Sequence, residues 1–125
     1  MSVTPTAVLI HVHALAEARA WYQAAFPTAR EIDLDTQAFV WLEMDGFTIE
    51  LVLADEKVSS GKSGSVLYWR VADLKEAIAH FTALGSTVYR GPMAIENGLG
   101  MCQVTDPFGN LIGLRGPYSH EYSTT

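Results

Sequence analysis

His11 and His13 stand two residues apart in an apolar stretch, Val8-Leu9-Ile10-His11-Val12-His13, that reads as a strand. Alternate strand residues share a face, so both imidazoles would point one way. With Glu50 they would form a two-histidine, one-carboxylate set suited to iron or zinc. A second reading makes His11 a hydrogen-bonding wall of a cleft and leaves His13 in the turn where the strand should end, and it is preferred. His80 and His120 are read as solvated, on a helix and in the tail. Glu50 also has two readings: a general base facing a cavity with a raised pKa, or the ion-pair partner of Arg70 or Arg115. The pair is favoured, because an unpartnered buried carboxylate is costly. The two arginines could instead hold an anionic group of a ligand, since a guanidinium fork suits carboxylate or phosphate. Phe39, Trp41 and Tyr68 would offer flat rings for stacking on a planar or hydrophobic molecule. Cys102, beside Met101 and Gln103, has no neighbouring histidine or cation to lower its pKa, so a buried inert thiol is expected.

These residues have to be positioned by a repeat. Val12, Leu15, Ala18 and Tyr22 align with Val71, Leu74, Ala77 and Phe81. Further on, Gly46-Phe47-Thr48-Ile49-Glu50-Leu51 aligns with Gly109-Asn110-Leu111-Ile112-Gly113-Leu114. The halves run about 7–55 and 65–116, joined by a polar linker at about 56–64. Each half reads as a strand, a helix and three short strands. The first strands are 8–13 and 66–71. Leu15, Ala18, Tyr22 and Ala25 recur at helical spacing, as do Leu74, Ala77, Ile78, Phe81 and Leu84. Asp73 is the expected N-cap, Gly85 the expected stop, and Pro27 ends the first helix. The remaining strands are expected near 29–34, 38–44 and 47–53, then 86–90, 100–105 and 110–116. Asp45-Gly46 marks a tight hairpin. The glycine-rich stretch 91–100 reads as a lid over a cleft, and the polar tail 116–125 as mobile.

Period-two alternation then sorts the faces. Val8, Ile10 and Val12 pack against the helix, leaving Ala7, Leu9 and His11 opposite. Thr48, Glu50 and Val52 oppose Ile49 and Leu51, and Phe39, Trp41 and Glu43 oppose Val40, Leu42 and Met44. In the second half Tyr68, Arg70, Gly113 and Arg115 oppose Trp69, Ile112 and Leu114. One face is aliphatic core. The other carries Leu9, His11, Phe39, Trp41, Glu50, Tyr68, Arg70, Gln103 and Arg115, the expected ligand-binding set, as in a half-wet cleft.

Composition limits what such a cleft serves. In 125 residues, 49% are hydrophobic and 18% charged, which suits one globular domain and excludes a disordered chain. Eight Lys+Arg against fourteen Asp+Glu give a net charge of −6, which removes the positive footprint that nucleic acid needs. A lone cysteine cannot form an internal disulfide, so a cytoplasmic protein is expected. No apolar run approaches the roughly 20 residues of a membrane span, and Met1-Ser2-Val3-Thr4-Pro5 lacks the start of a signal peptide. The expected partners are small molecules or further copies of the chain, with no nucleic acid and no membrane.

The chain resembles the glyoxalase/bleomycin-resistance/dihydroxybiphenyl-dioxygenase superfamily, the vicinal-oxygen-chelate fold, over about residues 7–116. The carriers are Leu15-Ala16-Glu17-Ala18-Arg19-Ala20-Trp21-Tyr22, Trp69-Arg70-Val71-Ala72-Asp73-Leu74 and Asp106-Pro107-Phe108-Gly109-Asn110-Leu111-Ile112. The resemblance implies an α+β fold in which two βαβββ modules form a curled mixed-sheet cup with helices outside, often completed by a homodimer. Members with a metal take His or Gln from the first strand of a half and Glu from its last. Those positions here are Ala7, Glu50, Val66 and Gly113, and only Glu50 offers a donor. The resemblance with these departures implies a protein without a metal or other cofactor, sequestering a small aromatic or hydrophobic antibiotic or metabolite. The alternative is a lyase, isomerase or dioxygenase-type enzyme using Glu50 as base or a non-standard metal site with His11.

Overall fold

A computed structural model of the chain describes residues 1–2, 4–56, 59–62 and 64–119. Two compact units, Met1–Ser60 and Gly61–Thr125, divide it. The first holds β1 (Ala7–Val12), α1 (Leu15–Ala25), β2 (Arg30–Ile32), β3 (Phe39–Met44) and β4 (Phe47–Leu53). The second holds β5 (Tyr68–Arg70), α2 (Leu74–Ala83), β6 (Val88–Ala94), β7 (Leu99–Thr105) and β8 (Leu111–Pro117), with one turn of 3-10 helix at Glu96–Gly98. Both are βαβββ modules, as expected. Their sheets are mixed and four-stranded, in the orders β1-β4-β3-β2 and β5-β8-β7-β6.

The topology follows from the connections. Parallel neighbours need a crossover, so α1 carries the chain from β1 to the far edge, and β2, β3 and β4 return as an antiparallel meander until β4 lies parallel to β1. The second module does the same through α2. Each helix buries one stripe: Ala18, Tyr22 and Ala25 in α1, Leu74 and Phe81 in α2. Beneath α1 the sheet contributes Val12, Leu42, Ile49 and Leu51, all fully buried. Each such side chain contributes about 1.5–3 kcal/mol. In the second module Cys102, Val104, Ile112 and Leu114 are the buried row.

Local signals hold at the element ends. The Asp73 carboxylate accepts the Glu76 N–H at 2.9 Å, capping α2, and Gly85 at φ 93° ends it. Helix α1 stops at Ala25, two residues before Pro27, with Phe26 as its C-cap. Asp45 and Gly46 both have positive φ, the backbone a two-residue hairpin requires. The Glu43 carboxylate accepts the Gly46 N–H at 3.0 Å, which, aided by Arg30, holds its pKa below the usual value. At the other hairpin, buried Asp106 accepts the N–H groups of Phe108 and Asn110, each at 2.8 Å, and the Asn110 amide at 2.9 Å. The Asp-Pro-Phe-Gly-Asn segment is therefore a self-bonded turn.

Three expectations need correction. The strand expected over 66–71 is confined to Tyr68–Arg70, although the Gly113 N–H still reaches the Leu67 carbonyl and the Val71 N–H that of Arg115. The lid expected at 91–100 is largely strand: β6 runs through Gly91 and Pro92 to Ala94, with register shifts on either side of Arg90. Glycine is needed at 91 for close approach, since φ is 87° and a Cβ would lie 2.7 Å from the Met101 carbonyl oxygen. Proline is tolerated because β6 is an edge strand. The tail expected to be mobile from 116 continues in β8 to Pro117, and the Tyr118 N–H donates to the Gly98 carbonyl at 3.0 Å. The rest of that expectation, 120–125 with His120, and linker residues 57, 58 and 63 lie outside the described residues.

Asp106→Ala removes a buried acceptor from three donors. It is expected to lower unfolding free energy by about 2–4 kcal/mol, read as a fall in the urea midpoint at unchanged m-value.

Candidate functional site

Ladder partners point to the same side of a sheet, so the registers define what each open face carries. In the first module Leu9, Glu50 and Trp41 form one rung across β1, β4 and β3, and Ile32 of β2 completes it. His11, Val52 and Phe39 form the next rung, and Ala7, Thr48 and Glu43 form the preceding one on the same face. The expected face assignment of β3 therefore holds, with Val40 and Leu42 buried behind it. Leu9 and Phe39 are 53% and 45% exposed, while Trp41 and Glu50 are half-buried between them. The Glu50 carboxylate accepts the Thr48 hydroxyl at 2.7 Å.

The second module carries different chemistry on its open face. Tyr68, Gly113, Gln103 and Arg90 share one rung across β5, β8, β7 and β6. Arg70, Arg115, Met101 and Met93 share the next. The Tyr68 ring lies flat over Gly113, where a Cβ would come within 2.7 Å of it. The Gln103 side-chain amide donates to the Tyr68 hydroxyl at 2.7 Å, and the Arg115 guanidinium sits over the ring 4.9 Å from its centroid. Such stacking holds a guanidinium through its face and leaves its N–H edge available.

The expected residues thus fall into two groups by module: Leu9, His11, Phe39, Trp41 and Glu50, then Tyr68, Arg70, Gln103 and Arg115. Arg19 pairs with Glu31 and Arg30 with Glu43, while Glu50 takes the Thr48 hydroxyl. Three features escaped the sequence reading. Thr48 carried no motif. Arg90 was hidden in the stretch taken to end a strand. The seat of Tyr68 on Gly113 follows only from the register, although a glycine facing an aromatic across two strands was a signal for it.

A metal centre does not fit these residues. The registers pair Leu9 with Glu50 and Tyr68 with Gly113, so Ala7 and Val66 each lie two residues before the partner. The carried-over positions therefore correspond between modules, but alanine, valine and glycine supply no donor atom. The space a residue-113 carboxylate would use is taken by the Tyr68 ring. The alternative through His11 and His13 is not assembled either. Strand β1 ends at Val12, His11 is in register with Val52 instead of Glu50, and no group of three His, Cys, Asp or Glu side chains able to hold a metal occurs among the described residues.

One hollow of about 420 Å³ opens in the first module between the start of α1 and the segment joining β2 to β3. Arg19, Glu31, Asp33, Thr36, Gln37 and Phe39 are among its walls. Of the expected site residues only Phe39 borders it. Two of its charged walls, Arg19 and Glu31, pair with each other at 2.7 Å.

The family model of the Glyoxalase/Bleomycin resistance protein/Dioxygenase superfamily matches residues 5–114. No curated protein matches the chain by sequence. Among solved structures, the genomically encoded fosfomycin resistance protein FosX of Listeria monocytogenes superposes with a TM-score of 0.77 at 16% identity, covering 97% of this chain and 96% of that one. A glyoxalase/bleomycin resistance protein/dioxygenase family enzyme of Burkholderia phytofirmans PsJN gives 0.75 at 19% identity, covering 90% and 98%. A putative glyoxalase family protein of Bacillus anthracis gives 0.71 at 18% identity, covering 94% and 98%. At these identities the likeness is one of fold. No helix among the described residues is long and apolar enough to cross a membrane.

Two outcomes follow from the packing. Gly113→Ala forces a methyl against the Tyr68 ring and the Leu67 carbonyl and is expected to cost about 1–3 kcal/mol, read by thermal melting. Burial raises the Cys102 thiol pKa, so Ellman's reagent is expected to modify it only after denaturation; rapid reaction of the native protein would contradict that packing.

Proposed function

The chain belongs to the Glyoxalase/Bleomycin resistance protein/Dioxygenase superfamily, and from that premise we propose that it binds a small aromatic or otherwise hydrophobic molecule without a metal ion. The observation that carries this reading is the rung Leu9–Glu50–Trp41 with Phe39 beside it. Large apolar side chains left 53% and 45% exposed on a sheet face form an unfilled contact surface. Trp41 offers an indole for stacking, and Glu50, already oriented by Thr48, gives a polar anchor for a ligand N–H or O–H. The departures at Ala7, Val66 and Gly113 support binding by shape and ring contact over metal-assisted chemistry. Sequestration of an antibiotic or a metabolite by a cytoplasmic homodimer is the proposed role.

The test uses neutral aromatic probes, 1-naphthol and N-phenyl-1-naphthylamine, titrated against tryptophan fluorescence. Saturable quenching is expected, lost in Trp41→Phe and about tenfold weaker in Leu9→Ala, equivalent to about 1.4 kcal/mol. No saturation below millimolar concentration, or quenching unaltered in Trp41→Phe, would sink the reading. Turnover of a bound compound that vanishes in Glu50→Gln would replace binding by base catalysis. Sedimentation gives the mass of the assembly, and a monomer at micromolar concentration would remove the dimer.

A further inference from the structure

The open face of the second module is cationic in a chain whose net charge is −6. Arg70 and Arg115 are direct ladder partners on β5 and β8. Neighbouring strands run about 4.8 Å apart, so two positive side chains are rooted side by side, an arrangement that sheets disfavour. Arg90 stands on the same face at the far end of the adjoining rung, beyond Gln103. All three arginines are exposed, and among the described residues none has its guanidinium in an ion pair or a hydrogen bond. The described acids of this module are placed elsewhere. Asp73 caps α2, Glu76 follows in its first turn, Glu96 sits in the short helix between β6 and β7, and Asp106 is consumed by its own hairpin. Among the described residues of the module, no carboxylate forms an ion pair with any of the three.

Part of this face is already fixed. Tyr68 is seated on Gly113 and tied by Gln103, so its ring has little freedom. Arg115 rests on that ring, which orients its guanidinium without using an N–H group. An arginine held by stacking, beside a second arginine in register, presents paired donors to a planar or tetrahedral oxyanion at small ordering cost.

We propose that the Arg70–Arg115 pair, backed by Tyr68 and flanked by Arg90, is a binding site for a small oxyanion, a carboxylate or a phosphate group. A polyanion is disfavoured because the remainder of the acidic chain repels it, whereas a small anion responds to the local donors. This site is argued from the second module alone and does not rest on aromatic binding by the first.

Isothermal titration calorimetry of the whole chain with inorganic phosphate, and separately with benzoate, tests it at fixed low ionic strength. Saturable binding of at least one anion is expected, weakened tenfold or more in the double variant Arg70→Ala/Arg115→Ala. Arg115→Lys, which keeps the charge but loses the fork, is expected to fall between the two. Arg30→Ala removes an arginine paired to Glu43 in the other module and should leave the affinity unchanged. Phosphate binding alone would assign a phosphate site, and tighter benzoate binding a carboxylate site with Tyr68 as stacking partner. Circular dichroism melts confirm that the variants fold. Absence of saturable binding for both anions overturns the proposal, as does affinity retained in the folded double variant. Failure here leaves the response of Trp41 to neutral probes untouched, so the two readings fall separately.

Discussion

The parallel pairing of the first and last strand in each module is the constraint on which the rest depends. Helices α1 and α2 exist to make that pairing reachable, since parallel neighbours cannot be joined by a tight turn. Once β1 lies against β4 and β5 against β8, alternation assigns every other residue. A slip by one residue would send Ile49 and Leu51 into water and bury Glu50. Register is held at the hairpins, where Asp45 and Gly46 take positive φ and Asp106 gathers the N–H groups of its own turn. The open faces are thus a consequence of core burial, and their chemistry can change without disturbing it.

The two modules use that freedom differently. At matching places the first has Leu9 and Glu50 and the second has Tyr68 and Gly113. The loss of a side chain at 113 is what lets a tyrosine lie down on the sheet, and the tyrosine in turn supports Arg115. A glutamate at 113 could not coexist with that ring position. A glycine in place of a side chain with a donor atom thus makes room for an aromatic floor that carries a cation. The first module keeps its glutamate but surrounds it with Leu9, Trp41 and a threonine hydroxyl that orients the carboxylate.

Patterns that act locally were readable in the sequence. Alternation placed Phe39 and Trp41 opposite Val40 and Leu42, and Asp73, Gly85 and Asp45-Gly46 marked element ends where each residue satisfies a backbone requirement of its own. What failed depended on groups distant in the chain. Gly91, Pro92, Gly98 and Gly100 read as a loop because glycine and proline usually break strands, yet Gly91 serves a close approach to the Met101 carbonyl and Pro92 sits on an edge. The segment from 116 looked polar and free, while Tyr118 is tied to Gly98. For Glu50, a threonine two residues away on the same strand supplies a hydroxyl at 2.7 Å.

Charge in this chain is sorted by use. Pairs such as Arg19–Glu31 and Arg30–Glu43 lie at exposed positions, where an ion pair contributes only about 0–1 kcal/mol; stability resides in Leu42, Ile49, Leu51 and Leu114. The acids with demanding roles are structural: Asp73 and Asp106 bond backbone N–H groups that would otherwise lack partners. With those carboxylates spent on the backbone, no ion pair with Arg70, Arg90 or Arg115 forms among the described residues. The fold needs no guanidinium at any of the three positions, since the buried row behind them is apolar and complete. Positive charge left in register on a sheet face is a cost the folded state carries on its own, and an anion is the chemistry that would relieve it.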